Sequence, residues 1–282
     1  MLSFLKENVP RPIKQKIKYA YYCILDFIDF ICLRKRSKYI PPRRKIYIGE
    51  SNFKIYQSHM DEFFKYFKEL CHLKPHETVL DVGCGTGRMA VNLINYIGAD
   101  GIYEGFDIVK DGIDWCNKTI SSENRNFHFQ LADIYNKEYN PRGVLKPEEY
   151  IFPYGDSHFD FVFLTSIFTH MLPAGMEHYF SEISRVLKKN GRCLITFFLL
   201  NDESSHLMNE GKNIFQFKYD NGLYRLNDKN VPEAAIAYKE DYILGLFDKN
   251  SLIIKKPIYY GYWAGREEYL YYQDMIIAYK NA

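Results

Sequence analysis

A chain of 282 residues with 47% hydrophobic and 17% aromatic side chains can bury a sizeable core. That excludes an intrinsically disordered chain and leaves one large α/β domain with an extension, or two small domains. The formal net charge of +2 hides an asymmetry: residues 1–45 carry 12 Lys/Arg against 3 Asp/Glu, a local +9, while the rest of the chain is mildly acidic. The cysteines Cys23, Cys32, Cys71, Cys84, Cys116 and Cys193 form no Cys-x-x-Cys pair, so neither a disulfide framework nor a metal site is expected and a reducing, cytoplasmic compartment is.

No apolar run with a small-residue cleavage site opens the chain, so no secretory signal is expected. Tyr19–Leu33 is apolar except for Asp26 and Asp29, and is shorter than the roughly 20 residues a bilayer span needs. Lys14, Lys16 and Lys18 precede its core, and Arg34, Lys35, Arg36 and Lys38 follow it. Two readings stay open: a helix packed on the main domain or on a partner, or an amphipathic helix making peripheral contact with the inner face of an anionic membrane. In the second, Asp26 and Asp29 share a face toward water while Leu25, Phe27, Ile28 and Ile31 enter the acyl boundary. Pro41-Pro42 closes this basic amphipathic segment, 1–45, and a second unit is expected over 46–282.

Apolar periodicity then predicts a helix over Asp61–Leu73, stopped by Pro75. Strands are expected at Thr78–Val82, Ile102–Asp107, Phe127–Leu131, Asp160–Leu164 and Arg192–Leu200. Helices are expected at Gly87–Ile97, Ile113–Ile120 and Met176–Leu187. Such alternation specifies an α/β fold, a Rossmann-like doubly wound and mostly parallel sheet covered on both faces. Phe215–Leu226 reads as a β-hairpin insertion around Asp220-Asn221-Gly222. A helix at 237–247 and two β-rich runs, Leu252–Tyr260 and Tyr269–Tyr279, end the chain.

The chemistry centres on Val79-Leu80-Asp81-Val82-Gly83-Cys84-Gly85-Thr86-Gly87-Arg88. A buried strand runs into three glycines and then a helix, whose N-terminal N–H groups point outward. A dinucleotide fingerprint would need Gly at 88, where Arg stands. Asp81 lies before the glycines, where an anion would repel a pyrophosphate and attract a cation. Asp107 ends the second strand, where a carboxylate can accept both hydroxyls of a ribose. Together these describe a cationic nucleoside without a diphosphate.

In these motifs the chain resembles the class I S-adenosyl-L-methionine (SAM)-dependent methyltransferases over about residues 75–200. The resemblance extends to Tyr103–Ile108, Ala132-Asp133-Ile134, Phe159–Leu164 and the turn Leu187–Arg192. It implies SAM as cofactor. Gly83, Gly85 and Gly87 would make room for its methionine part, and Asp81 would help hold the amino group. Asp107 would take the ribose hydroxyls, Asp133 would accept from the adenine N6, and Ile108 and Ile134 would pack on the ring.

Methyl transfer requires alignment of donor and acceptor and, for a hydroxyl acceptor, removal of a proton. His170, past the fourth strand, and His206, past the fifth, are the candidate bases, each against a plain packing role. The strand end Thr165-Ser166-Ile167-Phe168 lacks the Asn/Asp-Pro-Pro-aromatic run usual for nucleobase amino groups, which argues against a nucleic-acid substrate. Segments 134–158 and 201–236 exceed ordinary connections and are read as lids or acceptor walls. Gly261–Arg266 resembles a segment of glycan-associated methyltransferases, which implies that Trp263 and Arg266 face the acceptor. The leading expectation is O-methylation of a sugar, glycan or related small molecule. The alternatives are a lipid or lipid-linked acceptor at a membrane surface and a non-catalytic, SAM-binding or scaffold subunit. The oligomeric state is left open.

Overall fold

The computed structural model describes residues 11–31, 37–46 and 52–281. Helices α1 (Arg11–Ile31) and α2 (Phe53–Glu69) precede an alternation of β1 (Thr78–Val82), α3 (Arg88–Leu93), β2 (Ile102–Asp107), α4 (Lys110–Cys116), β3 (Phe127–Leu131), β4 (Phe159–Leu164), α5 (Pro173–Val186) and β5 (Leu187–Phe197). An insertion follows with β6 (Leu199–Leu200), α6 (Asp202–Asn209), β7 (Tyr219–Asp220), β8 (Tyr224–Leu226) and β9 (Ile236–Lys239). The chain closes with α7 (Glu240–Lys249), β10 (Leu252–Tyr259) and β11 (Asp274–Lys280).

Seven strands form one sheet in the order β10-β11-β5-β4-β1-β2-β3, and β6, β9, β8 and β7 form a small second sheet. Strands β1 to β5 pair in parallel, and β11 runs antiparallel between β5 and β10. Successive strand residues point to opposite faces. Leu80, Val82, Val162 and Leu164 therefore meet Phe180 and Ile183 of α5 on one face. Val79, Phe161 and Phe163 meet Phe63 and Phe67 of α2 on the other. Burial on both faces explains why these strands read as nearly continuous apolar runs. The chain leaves β1 toward β2 and β3, then returns to β4 on the other side. Ligands of open α/β sheets bind outside the strand ends at such a switch point.

Element boundaries moved where packing outweighed local signals. α2 begins at Phe53, eight residues before the expected start, because Asn52 caps it through Lys54 N–H (3.0 Å) and Tyr56 and Met60 extend its buried stripe. The hairpin is shorter than expected. Only Tyr219–Asp220 and Tyr224–Leu226 pair, around Gly222 at φ +82°, while Phe215 and Phe217 pack against Phe198.

Of the two readings of the N-terminal helix, the one that turned its acids to water is not met in that detail. Asp26 and Asp29 are buried rather than turned to water. Asp26 accepts the Arg43 and Arg44 N–H groups (2.7 and 3.3 Å) and pairs with the Arg44 guanidinium (3.0 Å). Asp29 pairs with Arg43 Nε (3.1 Å). Buried carboxylates are tolerated when paired in this way. On either side of this turn, Ile40 and Ile46 pack with Tyr56, Met60 and Val91 of the body.

A second buried carboxylate organises the sheet's far end. Asp274, at the start of β11, accepts the N–H groups of Gly261 (2.7 Å) and Leu199 (2.6 Å) and the Trp263 indole N–H (2.7 Å). Arg266 reaches it at 3.3 Å and bonds Glu203 at 2.6 Å. Trp263→Phe keeps most of the apolar volume and deletes one donor to a charged acceptor. We expect a loss of about 1–3 kcal/mol in denaturant unfolding with SAM affinity unchanged; unaltered stability would mean that the indole N–H contributes nothing.

Candidate functional site

The loop after β1 is drawn tight against β2. Gly83 and Cys84 N–H donate to the Phe106 carbonyl (2.8 and 3.1 Å), and Gly85 N–H donates to Asp107 Oδ2 (2.8 Å). The other Asp107 oxygen accepts Val109 N–H (2.8 Å). Gly83 has φ +80°, and a Cβ there would lie 2.0 Å from Ile167 Cδ1. Gly87, at φ +74°, caps α3, and a Cβ would press on Ile120 at 2.7 Å. Gly83 thus admits the Ile167 side chain against the backbone at the strand end, while Gly87 serves packing behind it.

Two cavities meet at Gly83 and Thr165. The larger, about 390 Å³, has Phe106, Asp107, Ile108 and Ile134 on one side and Tyr139, His170 and Glu233 among its other lining residues. The smaller lies over the loop, lined by Asp81, Gly85, Thr86 and Arg88, with Ile46 and Tyr56 from the N-terminal region. The Tyr56 hydroxyl is 3.2 Å from Thr86 Oγ1.

Asp81 is buried in the smaller cavity's wall. Its Oδ2 accepts the Tyr103 hydroxyl (2.6 Å), and its Oδ1 is buried without a hydrogen-bond partner. Burial, set against the Tyr103 hydrogen bond, pushes the carboxyl up to about 7. An orphaned carboxylate oxygen facing a small cavity is what a bound ammonium would satisfy. Arg88, in the same lining, can meet a carboxylate, so this end suits the zwitterionic head of an α-amino acid.

His170 lies in the larger cavity's lining. Its Nδ1 bonds the Glu233 carbonyl (2.7 Å), which places the hydrogen on Nδ1 and leaves the lone pair on Nε2. Desolvation lowers its pKa, so the ring is neutral near pH 7 and able to accept a proton. Tyr139 meets the ring edge-on at 5.5 Å between centroids. Glu233 Oε2 is buried without a partner in the same cavity.

Of the residues singled out from sequence, Asp81, Gly83, Gly85, Asp107, Ile108, Ile134 and His170 come together around the two cavities. Four do not. The Asp133 carbonyl is taken by Val144 and Leu145 N–H, and the residue is exposed outside either lining. The His206 side chain, on α6, is 72% exposed and 3.3 Å from Glu210. Trp263 and Arg266 are buried around Asp274 and line neither cavity, so their polar tips serve the fold. Sequence reasoning missed Glu233, which sits in an insertion without periodicity. It also missed Arg88, whose place after Gly87 served only to reject a dinucleotide loop.

Asp81→Asn keeps an acceptor for Tyr103 and removes the titrating group. The folded-state value near 7 exceeds the ordinary 3.8, so the folded state holds the proton more tightly. The stability from this group is present at acid pH and lost as pH rises through about 7. The melting temperature of ligand-free Asp81→Asn should therefore gain on the parent as pH rises from about 5 to about 8. A difference that does not vary with pH would show that Asp81 is ionised throughout.

Residues 73–250 match the family model of a methyltransferase domain. A probable cobalt-precorrin-6B C(15)-methyltransferase (decarboxylating) from Thermoplasma acidophilum is 26% identical over 155 residues, 54% of this chain and 68% of that protein. Phosphoethanolamine N-methyltransferase 2 of Caenorhabditis elegans is 27% identical over 138 residues, 49% of this chain but only 28% of that longer protein. The crystal structure of a SAM-dependent methyltransferase from Methanosarcina mazei superposes with a TM-score of 0.53 at 20% identity, covering 76% of this chain and 97% of the other. The chain belongs to the methyltransferase domain family, and its fold is that of the class I, SAM-dependent enzymes.

Proposed function

We propose that this enzyme methylates a hydroxyl of a sugar-like or related small molecule held beside His170. The observation that carries the proposal is an imidazole, hydrogen-bonded through Nδ1 to the Glu233 carbonyl, in the cavity that Asp107 and Gly83 also line. SAM supplies a methyl group on a sulfonium, open to in-line attack. In our reading Asp81 holds its ammonium and Arg88 its carboxylate, and Gly83 and Gly85 let the backbone approach. Asp107 accepts from the ribose hydroxyls, since each carboxylate oxygen can accept more than one bond. Ile108 and Ile134 would pack on the adenine.

His170 Nε2 would take the proton of the acceptor hydroxyl, and the methyl group that bound SAM would supply would pass to that oxygen with S-adenosylhomocysteine as the leaving group. Glu233 accepts a hydrogen bond from a second donor on the acceptor, which fixes its orientation. Tyr135 and Asn136 add polar edges, and Tyr139 and Met171 add apolar wall. Glu233 also favours a second reading, an amine acceptor, because an unpartnered carboxylate in a largely apolar cavity suits a cation. Turnover assays against panels of hydroxyl and amine acceptors, with product masses and methylation sites read out, separate the two.

Asp107→Ala should weaken SAM binding by about 1.5–3 kcal/mol in calorimetry on folded protein, the range for hydrogen bonds to a charged group. Equal affinity would remove Asp107 from the cofactor site.

His170→Ala should lower kcat roughly 10²–10⁴-fold with SAM affinity nearly unchanged, whereas His206→Ala should leave both alone. Because desolvation lowers the His170 pKa below its ordinary 6.5, the parent's rate should hold through neutrality and fall only on the acid side of that value. Near-normal turnover in His170→Ala would make the residue a packing histidine and the acceptor one that needs no base.

A further inference from the structure

We propose that α1 docks the enzyme on an anionic membrane surface, lying along the bilayer with one apolar stripe in the acyl boundary. Ile13, Ile17, Ile24, Phe27, Ile28 and Ile31 recur at helical spacing and are each 40–62% exposed. A contiguous apolar stripe on a helix is an interaction surface rather than a solvent face. No described helix is long and apolar enough to cross a membrane, so the stripe suits the interface plane and not a span.

The ion pairs at the base of the helix set this orientation. Asp26 and Asp29 share the side opposite the stripe, and both are buried against Arg43 and Arg44. The same bonds fasten α1 to its own chain, turn its two acidic groups away from the stripe and neutralise them. An acidic helix face would otherwise be repelled by anionic headgroups.

Charge selects the occupant. Arg11, Lys14, Lys16 and Lys18 lie in the first half of α1, and Arg34, Lys35 and Arg36 follow directly after it. Residues 1–45 as a whole carry +9. A second copy meeting this stripe would bring two such segments together, whereas lipid phosphates neutralise them. The inference is independent of the acceptor's identity.

Flotation of the full chain with vesicles tests it. The protein should float with vesicles of equal parts phosphatidylcholine and phosphatidylglycerol at low salt. It should lose about ten-fold in partition at high salt and stay behind with phosphatidylcholine alone. The double variant Ile24→Ser, Phe27→Ser should bind the mixed vesicles at least about ten-fold less, with SAM affinity and circular dichroism unchanged. Absence of flotation, equal binding to neutral vesicles, or retained binding by the double variant would each overturn the proposal. So would a dimer in light scattering that the double variant dissolves, since the stripe would then meet a second copy.

Discussion

The bond from Gly85 N–H to Asp107 Oδ2 joins the two halves of the candidate site. It ties the turn after β1 to the end of β2, and the second oxygen of the same carboxylate holds the start of the β2–α4 connection at Val109. One buried side chain thus sets the spacing between the glycine turn and the end of β2. The Phe106 carbonyl, accepting from Gly83 and Cys84, adds a backbone clamp one residue earlier. With the turn held on both sides, the three left-handed glycines are over-determined rather than merely permitted.

Against that rigid frame stand, among the described residues, two buried carboxylate oxygens without a hydrogen-bond partner, on Asp81 and Glu233. An unpaired buried oxygen costs stability and is selected against in an ordinary core. Here one lines each of the two cavities that meet at Gly83. Conflict between local stability and burial at such positions is what a binding site produces, because the missing partner arrives with the ligand. Asp274, with four donors around it, is the contrast: a buried acid whose needs the protein meets itself.

This contrast explains which parts of the site were legible in sequence. Strands β1, β2 and β3 were read to the residue, because their apolar runs are short and bounded by turn formers. Asp81 and Asp107 were legible because each sits at a fixed offset from a glycine or a strand end. Trp263 and Arg266 were misplaced, since an indole and a guanidinium read the same beside a ligand as beside a buried aspartate. The aspartate that decides the matter lies eight residues or more further on, in β11. Glu233 was invisible because its place depends on how the 201–236 insertion folds back over β4, which no local pattern encodes.

The N-terminal segment shows the same limit from the other side. Two acids in an apolar run suggest a water-facing side, and their spacing did put them on one face. Local pattern could not say whether water or arginine would meet that face, because the partners stand 14 to 18 residues downstream, past a proline pair. The answer changes the helix's role. Facing water, the acids would oppose an anionic surface; pinned to Arg43 and Arg44, they anchor α1 and leave its apolar side outward. The same turn leads directly to Ile46, which lines the smaller cavity with Tyr56. The segment that carries the exposed stripe therefore also supplies, through Ile46, part of the wall around Asp81 and Arg88.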